Sequence, residues 1–154
     1  MVEGPFGFDC PEDSPGLLLW QTTMVWQRLI RKVLEPYGVT HPQFVIMATL
    51  LWFEMHPQDT TQIHIVNWTK LDKMTVSKAL KSLEGQGLVM RATHGRDTRA
   101  VIVRLTQDGN NLIHKVIPVI EALDTAFFAP LGPSDQRTFM GHLKQILSKT
   151  SDQT

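Results

Sequence analysis

Residues 72–89 read DKMTVSKALKSLEGQGLV, and they describe a helix that is buried on one face only. Its apolar side chains recur at helical spacing, at Val76, Ala79, Leu80 and Leu83. The opposite face carries small polar and basic side chains and one methionine, namely Met74, Ser77, Lys78 and Lys81, with Thr75 beside them. Asp72 is a candidate N-cap, and the glycines that follow are C-terminal stops. The pattern predicts a helix over 73–85 with a basic outer face.

Basic residues concentrate around this helix, although the chain of 154 residues is neutral overall, with 15 basic and 15 acidic side chains. Between Lys70 and Arg104 there are eight basic residues against three acidic ones, a net charge of +5, so the rest of the chain carries −5. A local basic stretch in a neutral protein is typical of a surface that binds a polyanion. The alternative from charge alone is an ordinary solvated face.

The elements on either side of this helix complete a recognisable order. Residues 61–70 predict a short helix, followed by a turn at Leu71-Asp72. Downstream, 88–93 and 100–105 predict two strands, joined by the turn HGRDTR at 94–99. A helix of about a dozen residues fits the ~12 Å major groove of B-DNA. Arginines at a hairpin tip can reach the adjacent minor groove. The order of short helix, turn, helix and basic-tipped hairpin is therefore that of a winged helix-turn-helix.

Longer helices flank this region, and they are predicted over 16–34, 40–54, 106–128 and from Gly132-Pro133 to the C-terminal end. Ser14, Thr40 and Thr106 are the predicted caps of the first three, and Pro118 is predicted to kink the third. The apolar residues of 16–34 cover more than one face, which indicates burial both by its own lobe and by a partner chain. The predicted fold class is mainly α with a small β-hairpin wing, a winged helix-turn-helix DNA-binding lobe plus a helical dimerisation lobe.

Composition excludes several other classes of protein. Apolar residues make up 42% of the chain, enough for a core, and the longest apolar run, 44–53, is far shorter than the ~20 residues of a membrane span. The N-terminus lacks the features of a signal peptide, and the single cysteine, Cys10, cannot form an intrachain disulfide. We see no catalytic pair, no phosphate-binding glycine loop and no metal-ligand spacing among the six histidines. We therefore expect a cytoplasmic protein that is not an enzyme, with no membrane contact, no cofactor and no metal.

Over roughly 16–149 the chain resembles the multiple-antibiotic-resistance regulator (MarR) family of bacterial transcription factors. The resemblance is carried by 72–89, including Leu-Glu-x-x-Gly-Leu at 83–88, and continues in Arg91, Asp97-Thr98-Arg99, Val103-Arg104-Leu105-Thr106 and Gly109. The segments Tyr37-Gly38-Val39-Thr40 and Pro42-Gln43-Phe44 also match the start of the family's second helix.

The resemblance implies a sequence-specific DNA-binding regulator, a homodimeric and ligand-responsive repressor of a near-palindromic operator in double-stranded DNA. It divides the chain into an irregular N-terminal arm, 1–13, and a single domain, 14–149. Within that domain it implies a DNA-binding lobe over 40–105. The dimerisation helices would then lie over 14–35 and 106–149.

The residues implied to contact DNA lie on helix 73–85 and on the wing. They are Lys73, Met74, Thr75, Ser77, Lys78, Lys81, Arg96, Asp97 and Arg99. Arg99 is expected to enter the minor groove and Asp97 to hold it. Met74 could instead fill a gap in the core, and Asp97 and Arg99 could form only an ion pair that stabilises the turn.

The family often binds small aromatic or phenolic anions between its two lobes, so an effector of that class is a possible partner. Candidate lining residues are Trp20, Met24, His41, Phe44 and Trp52, although aromatics at helical spacing more often belong to a core.

Two alternatives remain: a redox-responsive regulator that uses Cys10, and a winged-helix protein-interaction module that does not bind DNA. The acidic neighbours of Cys10 disfavour a thiolate, and the basic helix argues against the second alternative.

Overall fold

The computed structural model describes residues 4–56, 58–93 and 100–150. In these ranges the chain forms six α-helices and a two-stranded antiparallel hairpin, so the predicted fold class is confirmed. The helices are α1 (Pro15–Leu34), α2 (His41–Met55), α3 (Gln62–Thr69), α4 (Lys73–Gly85), α5 (Gln107–Phe128) and α6 (Pro133–Thr150), and the strands are β1 (Val89–Thr93) and β2 (Val101–Leu105). None of the helices described has the length and apolar character needed to span a bilayer.

The chain divides into two compact units, Met1–Ile120 and Glu121–Thr154, and α5 contributes residues to both. In the first unit, α2 packs against α3, α4 and β2. The largest fully buried side chains come from each of its helices and from β2, and they are Ile30, Leu34, Ile46, Met47, Leu50, Ile65, Val76, Leu80, Leu83, Val103, Ile113 and Val116. The core of this unit is therefore built around α2.

The predicted helix caps form as expected, each a side-chain oxygen that accepts a backbone N–H of the first turn. Ser14 accepts from the amide of Leu17 at 3.2 Å, and Thr106 accepts from the amide of Gly109 at 3.0 Å. Thr40 forms a full capping box with α2. These local hydrogen bonds fix where the helices begin.

The edge of β2 that does not pair with β1 makes a backbone contact that the sequence does not predict. Thr61 forms an isolated antiparallel bridge with Ile102, and the amide of Val103 donates to the carbonyl of Thr60 at 2.9 Å. The sequence predicts only a polar loop at 56–60, because backbone pairing over one or two residues leaves no side-chain pattern. This contact ties the segment before α3 to the middle of β2.

The second unit is held by aromatic packing and one glutamine. The ring of Phe128 lies 5.1 Å from that of Phe127 and 6.0 Å from that of Phe139, between centroids. The side-chain amide of Gln136 donates to the carbonyls of Phe128 and Leu131, at 3.1 and 2.8 Å. No residue of α6 is buried in this chain. The helix α5 continues through Pro118, and a kink there stays a prediction.

A close backbone approach connects the start of α5 to the start of the hairpin. The amide of Thr106 donates to the carbonyl of Leu88 at 3.1 Å, and its hydroxyl donates to the carbonyl of Gly87 at 2.6 Å. A Cβ at Gly109 would lie 2.0 Å from the carbonyl oxygen of Leu88. Only glycine fits at this position, since the obstructing atom is backbone.

We expect Gly109→Ala to lower the free energy of unfolding by about 3 kcal/mol, because the backbone of Leu88 must move to admit the methyl group. Gly85→Ala is the matched control. Its added Cβ meets no atom within 4 Å, and alanine favours the helix by up to about 1 kcal/mol. Chemical denaturation followed by circular dichroism measures both variants. Equal stabilities for the two variants would contradict the close approach.

Candidate nucleic-acid interface

The helix α4 is buried on the predicted face and exposed on the other. Val76, Ala79, Leu80 and Leu83 are all buried, which confirms the predicted inner face. On the outer face Lys73, Met74, Ser77, Lys78 and Lys81 are exposed, and Thr75 is half-buried. With 3.6 residues per turn, Met74, Lys78 and Lys81 lie at the centre of the exposed face. The structure thus brings six predicted DNA-binding residues together on one helix.

The lysines on and just before α4 differ from the arginines of the two strands in their ion pairing. In the ranges that the structure describes, no carboxylate pairs with Lys70, Lys73, Lys78 or Lys81. The two strand arginines behave differently, since Arg91 pairs with Glu84 at 3.1 Å and Arg104 pairs with Asp59 at 2.6 Å. The positive charge of the helix and of the turn before it is therefore available to an external anion.

Met74 is 70% exposed at the centre of this basic face. A side chain that fills a gap in the core would be buried, so the structure does not support that alternative for Met74. A large apolar group among lysines on a solvent-exposed helix offers a contact for an apolar atom on a ligand. In the major groove the apolar group at base edges is the thymine methyl.

The first turn of α4 is fixed by Asp72, as predicted. One carboxylate oxygen of Asp72 accepts from the backbone amide of Thr75 at 2.7 Å, and the other accepts from its hydroxyl at 2.9 Å. These hydrogen bonds, the backbone one above all, hold the pKa of Asp72 below its ordinary value. Because the Thr75 hydroxyl donates to Asp72, it can offer only its lone pairs to a further partner.

A buried amide connects α4 to the start of α2. Gln43 is only 6% exposed, and its Nε2 donates to the Oγ of Ser82 at 3.0 Å. Its Oε1 accepts from the amide of Thr40 at 3.0 Å and closes the capping box there. Sequence reasoning missed this contact, because the threonine–glutamine spacing reveals the capping box but not a partner 39 residues away. The contact links the N-terminus of α2 to the last turn of α4.

The C-terminal end of α4 is joined to the hairpin by a bidentate ion pair. The Nε and Nη2 of Arg91 donate to the two carboxylate oxygens of Glu84 at 3.3 and 3.1 Å. The hydrogen bond from Arg91 lowers the pKa of Glu84. The base of the wing is thereby held against the helix. The wing residues Arg96, Asp97 and Arg99 lie outside the described residues, so their role stays a prediction.

A groove of about 1000 Å³ lies between α1, the start of α2 and the turn before α4. Of the five predicted ligand residues, Met24 and His41 line it. Phe44 is instead buried in the core, and Trp20 and Trp52 are exposed elsewhere. Trp52 lies 11 residues beyond His41, about 16 Å along the axis of α2, which is too far to share the groove.

The groove also has a tryptophan, Trp26, and a basic rim that sequence reasoning did not assign. Trp26 packs edge to face against His41, with ring centroids 5.1 Å apart. Arg28, Arg31 and Lys32 also line the groove, with Glu35 as the acidic residue beside them. The i, i+3, i+4 spacing of the three basic residues was a usable signal, because such residues share a helix face.

Cys10 is exposed and precedes α1, so it lies outside this groove and outside α4. Its thiol donates to a carboxylate oxygen of Glu12 at 2.5 Å, and that hydrogen bond lowers the pKa of Glu12. Among the described residues no cluster of three histidine, cysteine or acidic side chains is arranged to hold a metal ion.

Comparisons with known proteins agree on one fold. A family model described as "ArnR1-like, winged-helix domain" matches residues 35–123. YdcH of Bacillus subtilis (strain 168), named an uncharacterized HTH-type transcriptional regulator, is 33% identical over 140 residues, which cover 91% of this chain and 94% of YdcH.

Two solved structures share the fold. One is BpsR of Bordetella bronchiseptica, whose DNA binding is regulated by 6-hydroxynicotinic acid, with 23% identity, a TM-score of 0.80, and coverage of 93% of this chain and 97% of BpsR. The other is a mutant of MarR from Escherichia coli complexed with operator DNA, with 22% identity, a TM-score of 0.76, and coverage of 86% and 92%. The family model, which spans more than half of the chain, and the identity with YdcH show that the chain belongs to the ArnR1-like winged-helix family and is related to HTH-type transcriptional regulators, with the fold of MarR.

Proposed function

We propose that this protein is a homodimeric repressor that binds a near-palindromic operator through α4 and responds to a small aromatic anion. The observation that carries the proposal is the outer face of α4, where Lys73, Lys78 and Lys81 pair with none of the described carboxylates and lie around the exposed Met74. Such a surface is complementary to DNA, whose phosphates attract the lysines and whose thymine methyl groups offer an apolar contact to Met74. The function needs no catalytic group, and DNA as the partner places the protein in the cytoplasm.

In the proposed complex α4 enters the major groove. Lys78, Lys81 and Met74 then face base edges, while Lys73, at the first position of the helix, faces a phosphate. Arg99 at the wing tip reaches the minor groove, where narrow A·T-rich segments concentrate negative potential. The DNA-binding lobe is 40–105. The complex of MarR with operator DNA supports this reading by its fold.

The proposed dimer forms through α1 and the helices from 106 to 149. In this chain α1 exposes Leu18, Leu19, Trp20, Val25 and Leu29, and α6 exposes Met140, Ile146 and Leu147. Apolar residues along whole helices are typical of a surface that another copy covers. A two-fold dimer presents two recognition helices and therefore reads two half-sites about one helical turn, or ~10 bp, apart.

The groove beside α1 is the proposed effector site. Its rim of Arg28, Arg31 and Lys32 suits a carboxylate or phenolate, and its wall of Trp26 and His41 suits an aromatic ring. BpsR, which shares the fold, is regulated by 6-hydroxynicotinic acid, an aromatic acid. The effector proposed here acts by changing the spacing of the two recognition helices, since the groove leaves the outer face of α4 uncovered.

We expect Lys78→Ala and Lys73→Ala to weaken DNA binding in different ways. Loss of a base contact at Lys78 should cost ~1–3 kcal/mol on a selected operator and less on random DNA. Loss of a phosphate contact at Lys73 should weaken both DNAs alike and lower the salt slope by about one unit. Titrations by fluorescence anisotropy at several salt concentrations measure both effects. Lys78→Arg, which keeps the charge, is the control, and equal behaviour of Lys78→Ala and Lys73→Ala would contradict the assignment of α4.

We expect Ile146→Lys to weaken dimerisation at least about tenfold, because a charge would be buried in the proposed interface. Met55→Lys is the matched control, since Met55 is 67% exposed and Ile146 is 61% exposed, but Met55 lies at the end of α2. Analytical ultracentrifugation from nanomolar to micromolar concentration measures both dissociation constants. A wild-type protein that is a folded monomer at micromolar concentration would overturn the dimer.

We expect a panel of hydroxylated aromatic acids, including 6-hydroxynicotinic acid, to contain a compound that binds and releases the protein from its operator. Arg31→Ala should weaken that compound's binding at least about tenfold, since it removes a charged hydrogen-bond donor from the rim. The matched neutral ligand is the corresponding amide, which should bind more weakly. Tryptophan fluorescence, with Trp26→Phe to identify the reporting ring, measures binding. A panel without effect on fluorescence or on the DNA complex would count against the effector site.

A further inference from the structure

Lys70 has an unusual backbone in the turn between α3 and α4. Its φ of 62° and ψ of 14° are left-handed, and it is the one non-glycine residue with positive φ in the part of the chain that the structure describes. At the other positive-φ positions there the chain uses glycine, at Gly38 and Gly87. A side chain in this conformation crowds the backbone, and glycine avoids that strain. A lysine therefore stands where glycine would fit more easily.

The fold itself gives no reason for a lysine at this position. The hydroxyl of Thr69 donates to the carbonyl of Ile65 at 2.7 Å and accepts from the amide of Leu71 at 3.3 Å. The amide of Lys70 donates to the carbonyl of Val66 at 3.1 Å. These hydrogen bonds fix the turn through the backbone and Thr69. The Lys70 residue is exposed, and none of the described acidic side chains pairs with it.

The position of Lys70 points to a partner outside the protein. It lies two residues before Asp72, the cap of α4, and three before Lys73. A helix that enters the major groove has phosphates along both rims of the groove, and its N-terminal end lies near one of them. Strain that surrounding structure maintains is often stored where a function requires it.

We propose that Lys70 is a phosphate anchor, whose ammonium group binds a DNA backbone phosphate at the rim of the groove that α4 enters. Lys70 is exposed, so its side chain is free to extend to that rim. A contact with phosphate does not depend on base sequence, so it adds affinity for every DNA. Because Lys70 lies close to the start of α4, the contact also positions the helix in the groove. This inference rests on the proposed function of α4 in DNA binding.

The test compares three variants of the full chain, Lys70→Gly, Lys70→Asn and Lys70→Arg, on a selected operator and on a random duplex of equal length. Glycine and asparagine accept the left-handed backbone without the charge, and arginine keeps the charge. We expect the first two to bind both DNAs about 3- to 10-fold more weakly at ~0.1 M salt and to lower the salt slope by about 0.9. Lys70→Arg should keep most of the affinity, since it keeps the charge at the same position.

Thermal unfolding of the same variants separates anchoring from folding. Lys70→Gly should keep the wild-type Tm or raise it by up to about 3 °C, because it relieves strain while it loses affinity. Wild-type affinity and slope for Lys70→Gly would overturn the anchor, as would a loss confined to the operator or a lowered Tm. If Lys73→Ala and Lys78→Ala lose affinity while the Lys70 variants do not, only this inference fails. If the wild type binds neither DNA, the proposed function fails with it.

Discussion

The burial of one face of α4 is the interaction on which the rest of the described structure depends. Val76, Leu80 and Leu83 are completely buried in the core around α2. Because these three residues hold the helix from one side, the other side needs no partner within the chain. Lysines that would be costly to bury can then stay exposed and unpaired. A helix held by contacts on both faces could not present its charge to a polyanion.

Two polar contacts near the C-terminal end of α4 restrict its orientation. Gln43 donates to Ser82 from the N-terminus of α2, and Arg91 holds Glu84 from the hairpin. Hydrophobic burial is not directional, so it leaves the rotation and tilt of a helix poorly defined. Hydrogen bonds with defined donors and acceptors restrict that freedom. The geometry of the basic face therefore depends on a few polar contacts around an apolar core.

Features encoded within one or two helical turns were predictable, and features that join distant segments were not. The inner and outer faces of α4 and the caps at Ser14, Asp72 and Thr106 follow from spacings of three or four residues. The hydrogen bond from Gln43 to Ser82 spans 39 residues and has no local pattern. The same limit applies to the groove. Position along the chain makes Phe44 a candidate for the groove, whereas packing buries Phe44 in the core and places Trp26 in the groove wall.

The walls of the groove explain how a ligand there can act on DNA binding without touching DNA. They include α1, the start of α2 and also Thr69 and Leu71, the two residues that flank the strained Lys70. A ligand shifts an equilibrium only if it binds two arrangements with different affinity. A ligand that contacts both α1 and this turn binds with different affinity to two arrangements in which the turn and α1 are placed differently. Since α4 begins immediately after the turn, any such movement changes the direction of the basic helix, and by reciprocity DNA binding changes the affinity for the ligand.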